Sequence, residues 1–365
     1  MSSLHKILRL IVLFILLSAS SIMASESTPA TASKKETFDV KSFILEHVGD
    51  SYQWHITKWG NTEITVPLPV IVYSKTTGWH VFLSSALLEG ASHEGLSIAP
   101  AGKYKGKIIE KAADGNEVRP FDISITKVVF ALLFNSILLI IIIMAVARSY
   151  KKDNFESKKG FVGFMEMFIM NINDDVIKPG IGKDYKRYAP YLLTVFFFVF
   201  INNLMGLIPV FPGGANVTGN IAITFVLAII TFIIVNISGS KEYWKEIFWP
   251  EVPLWLKAPV PIMPVIEIVG VFTKPFALMI RLFANMIAGH SIVLGLTCLI
   301  FVTVSMGQAM NASMTVVSVI MTLFINIVEL LVAYIQAYIF TMLSAVFIGL
   351  ARIEPHHAHE EIKES

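Results

Sequence analysis

Between Pro264 and Arg352 the chain carries two long apolar runs, Pro264 to about Val304 and Ala312 to about Arg352, parted only by the polar stretch SMGQAMN. At 1.5 Å per residue, ~40 helical residues extend ~60 Å, about twice the hydrocarbon thickness of a bilayer. Helices of that length must be steeply tilted, bent or broken. Starts at Pro264 and Asn311, with no internal proline but Pro275, favour two long helices over an extra pair of short spans. Pro275 leaves room for a kink.

Three further apolar runs precede them. Val128 to Val146 is long enough to span, and it runs into Arg148, Lys151, Lys152, Lys158 and Lys159. A basic cluster beside a span marks the cytoplasmic side, so Tyr191 to Ile208 goes out and Ile221 to Ile237 returns. Gly160 to Ile177 sets Phe, Met and Ile against Asn and Asp, which suits an interfacial helix lying on the membrane or a plain cytoplasmic loop helix. Composition agrees with the membrane class: 55% of residues are hydrophobic and 15% charged, against about a quarter charged in soluble domains. A net charge of +2 with no basic patch argues against nucleic acid as a partner. The single cysteine, Cys298, excludes an intramolecular disulfide and any paired-cysteine metal site.

The first 24 residues read as a secretory signal peptide, with Lys6 and Arg9 ahead of a dozen-residue apolar stretch and small residues from Ser18 to Ala24. Residues 25–122 then form a small exported (periplasmic) domain with strands, cued by ITVPLPVIVYS and the segment around Lys105 to Lys111. Its histidines (His47, His55, His80, His93) are dispersed without metal-ligand spacing. Residues 123–352 form the transmembrane domain and 353–365 a cytoplasmic tail, whose HHAHEE run reads as a solvated end rather than a metal site. The fold class expected is an all-α polytopic membrane protein. It has about five transmembrane helices plus the interfacial helix, the last two long and steeply tilted as a hairpin.

Function is to be sought in the polar residues inside the apolar runs: Glu267, Lys274, Arg281, Asn285 and His290 on the first long helix, Asn326, Glu329 and Gln336 on the second. A charge near mid-bilayer costs several kcal/mol, so each such group needs a partner or water. Arginine stays protonated at physiological pH and can act only as a fixed charge. Glu267, Lys274 and Arg281 recur every seven residues and share a stripe, while His290 lies on the opposite face, ~13 Å nearer the outside. Glu329 and Gln336 are again seven apart, on one face. In an antiparallel hairpin turning near residue ~309, Arg281 pairs with Gln336 and His290 with Glu329. Two polar layers follow: a fixed cation near mid-membrane and a titratable pair outside it, as a proton path interrupted by a positive charge would need. Polar groups that merely hold a bundle together are the bland alternative; Lys274 can snorkel to the interface, and Glu267 suits a helix start.

The runs KPFALMIRLFANMIAGHSIVL (Lys274 to Leu294) and IVELLVAYIQAYIFTMLSAVFIGLA (Ile327 to Ala351) closely resemble the two signature helices of ATP synthase subunit a, and YAPYLLTVFFFVFINNLMGLIP (Tyr188 to Pro209) extends the likeness. The resemblance covers roughly Lys127 to Arg352. It implies a stator subunit of the F-type enzyme in the bacterial inner membrane, gripping the c-subunit ring beside peripheral-stalk b subunits and other ATP synthase subunits. Two offset proton half-channels would each reach mid-membrane, without a cofactor. It implies that Arg281 is the essential arginine facing the ring carboxylate, with Asn285 and Gln336 beside it. His290 and Glu329 would be the outer half-channel pair, and Glu267 an acid of the inner half-channel. Gly206 stands where some relatives carry an aspartate, which shifts the outer path onto Asn202, Asn203, His290 and Glu329. No Walker-type loop is present, so ATP chemistry belongs to partner subunits. A secondary ion-coupled transporter is the rival, but it would show internal repeats with interrupted helices, and none is evident.

Overall fold

A computed structural model describes residues 39–59, 62–100, 102–111, 117–150, 158–208, 211–249 and 262–352. The expected signal peptide (1–24), the tail (353–365) and Lys151 and Lys152 lie outside the described residues. The fold divides into two compact units. One gathers the chain up to Phe134, Met205–Val217 and His290–Asn326, the other Asn135–Leu204, Thr218–Gly289 and the chain from Ile327.

The described residues of the first unit open with helix α1 (Val40–Val48) and include the short strands β1 (Gln53–Trp59), β2 (Thr62–Pro67), β3 (Pro69–Ser74), β4 (Gly78–Leu83), β5 (Leu96–Ile98), β6 (Ile108–Lys111), β7 (Glu117–Val118) and β8 (Phe121–Asp122). They pair antiparallel in three small sheets, β1-β2, β4-β3-β8 and β5-β6-β7. Strand β3 alternates strictly, with Val70 and Val72 buried and Tyr73 exposed, as a pleated strand with one covered face must. Tyr52, Leu87, Leu96 and Ile108 complete that small core. The Tyr52 hydroxyl donates to Asp122, and burial followed by the nearby carboxylate pushes its phenol well up, keeping the proton in that bond. His80 and His93, scattered in sequence, both approach the Glu94 carboxylate. Among the described residues no group of three or more His, Cys, Asp or Glu is arranged to hold a metal.

Among the described residues five helices are long and apolar enough to cross a membrane. They are α2 (Lys127–Ser149), α5 (Tyr185–Gly206), α6 (Ile221–Ser238), α8 (Ile262–Thr303) and α9 (Gln308–Ala351), with short helices α3 (Phe161–Asn171), α4 (Lys178–Ile181) and α7 (Lys241–Phe248) between them. The chain is thus a mostly helical, multi-pass membrane protein with strands at its N-terminal side. Helix α5 starts six residues before the apolar run and carries Pro190 inside it. The last break is narrower than the polar stretch suggests. Helix α9 starts at Gln308, not at Ala312, because the interruption is set by Gly307, whose φ of 108° suits glycine. Gln308, Ala309, Met310 and Asn311 simply continue as helix, and Asn311 Oδ1 accepts from Thr303 Oγ1 at 3.0 Å across the break.

Between α2 and α5, α3 continues into a wide π turn, Ile172–Ile177. Phe161, Phe164, Met167 and Met170 are exposed apolar side chains, while Phe168 stacks against Phe200 and meets Tyr334 edge-on. In the same unit the C-terminal end of α9 is held by Arg352, which donates 2.9 Å to the Tyr188 hydroxyl and pairs with Asp184. Ser240 N also donates to the Ala351 carbonyl at 2.9 Å. The backbones meet directly at Gly349, where an added Cβ would lie 1.9 Å from the Gly180 carbonyl oxygen. Gly349→Ala must therefore displace backbone, and a loss of about 1–3 kcal/mol is expected for such overpacking. Thermal melting of the assembled complex in detergent checks it; an unchanged midpoint would refute the contact.

Candidate functional site

The second unit holds most of the expected residues. Arg281 and Asn285 sit four apart on α8 and both are exposed, while their helix neighbours Leu282 and Met286 are buried. The face carrying Arg281 and Asn285 is thus the exposed side of this stretch of α8. Glu329 and Gln336, seven apart on α9, do share a face, and it is the buried one: they are 5% and 4% exposed, with Ala333 and Ala337 beside them. The expected Arg281/Gln336 layer is therefore divided between an outward cation and an inward amide.

Glu329 lies against the backbone of α8. A Cβ at Gly289 would come within 2.6 Å of Glu329 Oε1 and 2.9 Å of its carboxyl carbon, so only glycine lets the acid seat there. Asn202 and Asn203 are both buried to about one per cent exposure or less. Asn203 Nδ2 donates to the Ala333 carbonyl at 3.4 Å, and its Oδ1 accepts from Thr218 Oγ1 at 2.6 Å. Asn202 Oδ1 accepts from Asn135 Nδ2 at 3.0 Å. A buried polar seam thus links α2, α5, the segment before α6, and α9 one turn past Glu329. Asn135 and Gly289 escaped the sequence reading. An asparagine inside the apolar α2 run is a detectable signal; a small residue opposite a carboxylate is not, until the helices are paired.

Towards the other end of this unit a cavity of about 30 Å³ is lined by Thr231, Asn236, Tyr243, Lys274, Pro275 and Phe347, among others. That is room for one water, with polar groups from α6, α7 and α8 around it. Lys274 Nζ lies 5.8 Å from the Phe347 ring centroid, so its ammonium rests on an aromatic face. Glu267 is half-buried one helical stretch away; burial, and then the charge on Glu267, push the Tyr243 phenol up.

The first unit holds His290. Its Nε2 lies 3.2 Å from the carbonyl of Gly206, the last residue of α5, where carbonyls have no intrahelical partner. A carbonyl only accepts, so Nε2 carries the proton in this bond. A Cβ at Gly206 would find the imidazole and the Ala215 carbonyl at 3.6 Å, ordinary contact distance. Backbone thus serves the histidine where the family resemblance led one to look for an aspartate. In the same unit Ser318 Oγ of α9 donates to the Leu296 carbonyl of α8.

Comparison with known proteins bears on both units. The family described as "ATP synthase A chain" matches residues 129–349, and a family described only as a "domain of unknown function" matches residues 43–124. "ATP synthase subunit a 2" of Chlorobaculum tepidum is 45% identical over 67% of this chain and 68% of its own length. "ATP synthase subunit a" of Chlorobium phaeobacteroides is 39% identical over 77% of this chain and 91% of its own. The "ATP synthase subunit a" of Myxococcus xanthus is 35% identical over 81% and 90%. One family match across more than half of the residues, joined by relatives aligned over most of their length, leaves a single assignment: the chain belongs to the ATP synthase subunit a family.

Proposed function

We propose that this chain is the proton-conducting stator subunit of a rotary F-type ATP synthase, offering two offset half-channels to the rim of a c-subunit ring. The observation that carries the reading is Arg281, an exposed, permanently charged side chain on an apolar helix long enough to cross a membrane. A guanidinium facing hydrocarbon is costly, and a carboxylate brought past it by a partner is the fitting relief. In a low-dielectric setting the fixed cation stabilises the ionised ring carboxylate, so its proton leaves before it passes and none crosses without rotation. Asn285 stands beside it on the ring-facing surface and Gln336 behind. Nucleotide chemistry resides on other ATP synthase subunits, and b subunits hold the stator.

His290, Glu329, Asn202 and Asn203 are assigned to the outer path, with Asn135 and Thr218 supporting the asparagines. Glu267 and the polar cavity around Asn236, Tyr243 and Lys274 are assigned to the inner path. Helices α8 and α9 are read as an antiparallel hairpin, tilted steeply because each is about twice a bilayer's hydrocarbon thickness. The meeting of Gly289 with Glu329, and of Leu296 with Ser318, is close to the register of a turn near residue ~309. Residues 1–24 are assigned as a signal peptide, 25–122 as a periplasmic domain, 123–352 as the channel domain and 353–365 as a cytoplasmic tail. Helix α3 would lie in the interface of the inner membrane, its Phe and Met face in lipid.

Each membrane charge moved is worth ~2.3 kcal/mol per 100 mV, so many must pass per ATP and any leak is wasteful. With Arg281→Ala, ATP-driven acidification of inverted vesicles should vanish from an assembled complex and passive proton leak should rise; wild-type pumping would overturn the assignment. Gly206→Ala should pump normally, because its methyl meets the imidazole at ordinary distance. Gly206→Leu should lose most pumping while ATP hydrolysis persists, and equal behaviour of the two would remove Gly206 from the path. Gly289→Ala should lower pumping several-fold by dislodging the carboxylate. On a Glu329→Gln background the same change should add little, a non-additivity measured as a double-mutant cycle.

A further inference from the structure

The sheet β4-β3-β8 has one face covered by the small core and one that is not. On the uncovered face Tyr73, Trp79 and Phe121 stand in one row across the three strands, in the register Tyr73↔Trp79 and Tyr73↔Phe121. The next row pairs Ile71 with Val81 and, through the bond from Ile123 N to the Ile71 carbonyl (2.9 Å), brings in Ile123. A third row sets Leu83 opposite Pro69, whose carbonyl accepts from Ile125 N at 3.0 Å. Exposure across this face is high: Trp79 60%, Val81 70%, Leu83 52%, Phe121 65%, Ile123 51%. None of the nine residues carries a charge. A contiguous apolar face of this kind on an otherwise finished domain marks an interaction surface.

The occupant follows from where the sheet ends. The extended chain beyond β8 reaches Ile125 and, two residues on, Lys127, the first residue of membrane-crossing helix α2. That junction is tied to the domain, with Lys127 N donating to the Ser51 carbonyl at 2.8 Å and Val128 N to Asp50 Oδ1 at 3.1 Å. Trp54 packs edge-on against Phe130 in the first turn of α2. The lower row therefore starts at the level where the bilayer starts, and the aromatic row lies four residues, ~13 Å, along the strands. The headgroup region is ~5–8 Å deep on each side, so the rows can all reach it only if the sheet leans over. Trp and Tyr at the edge of an apolar, uncharged face are the side chains that the water–lipid boundary favours. The chain just before the domain, SESTPATASKKETF (Ser25 to Phe38), is almost wholly polar and offers little to cover such a face.

We infer that this face is a membrane-resting surface: the exported domain leans on the lipid at the outer side of the bilayer, with Tyr73, Trp79 and Phe121 in the headgroup region. The inference rests on the membrane-subunit reading only for the orientation of α2.

The test uses the whole complex in lipid nanodiscs, with a nitroxide on a single cysteine at Val81 or at Ile123 in a Cys298→Ser background, assembly being checked by ATP-driven pumping before reconstitution. Both positions are exposed, so labelling leaves the core intact. References are labels at Lys103, an exposed position elsewhere in the domain, and Leu133, exposed on α2. Collision with oxygen relative to a water-soluble nickel chelate should be several-fold higher at Val81 and Ile123 than at Lys103, approaching Leu133. A ratio equal to that at Lys103 means open water, and loss of collisions with both reagents means a covering protein segment or subunit; either overturns the inference. Lipid contact at these labels with Arg281→Ala vesicles still pumping would leave the surface in place while removing the proton-path assignment, so the two readings fail separately.

Discussion

A charge in hydrocarbon has to be answered by something, and Arg281 stands exposed on a helix long enough to cross a membrane. Its neighbours Leu282 and Met286 turn inward, whereas the guanidinium turns outward. On the second long helix the acid Glu329 is kept on the buried face, against Gly289 of the first. The cation Arg281 thus stands on an exposed face and the acid Glu329 on a buried one.

Polar chemistry inside the bundle is carried largely by amides and main chain. Asn202 and Asn203 make buried bonds to Asn135, Thr218 and the Ala333 carbonyl, and each replaces an otherwise unsatisfied group in a setting where water is scarce. Amides do not titrate, so such a seam can position water and carboxylates without competing for the proton. At the other end the chain changes tactics: Arg352, Tyr188 and Asp184 form an aqueous-side clamp around the end of α9, close to the backbone contact of Gly180 with Gly349.

The membrane spans were legible because hydropathy alone sets them, and the seven-residue spacing of Glu329 and Gln336 correctly put both on one face. Arg281, Asn285, His290, Glu267, Asn202 and Asn203 stood out because their side chains are expensive in hydrocarbon. The start of α9 was misread by four residues because polarity was taken for a break, whereas backbone freedom at Gly307 makes it. Gly289 was invisible for a different reason: its importance lies in what it lacks, and that shows only when another helix is laid against it. The apolar sheet face was hidden in the same way, since alternation in β3 reveals two faces but not that both are apolar. Thr218 carried no signal, being a threonine in an ordinary loop.

His290 donates to a main-chain oxygen at the end of a helix. Such an acceptor is present whatever amino acid the gene encodes at position 206, it holds no proton of its own at any pH a cell meets, and it cannot be oxidised or modified. A histidine oriented in this way keeps that contact out of reach of point mutation, leaving only the size of the side chain at position 206 for selection to police.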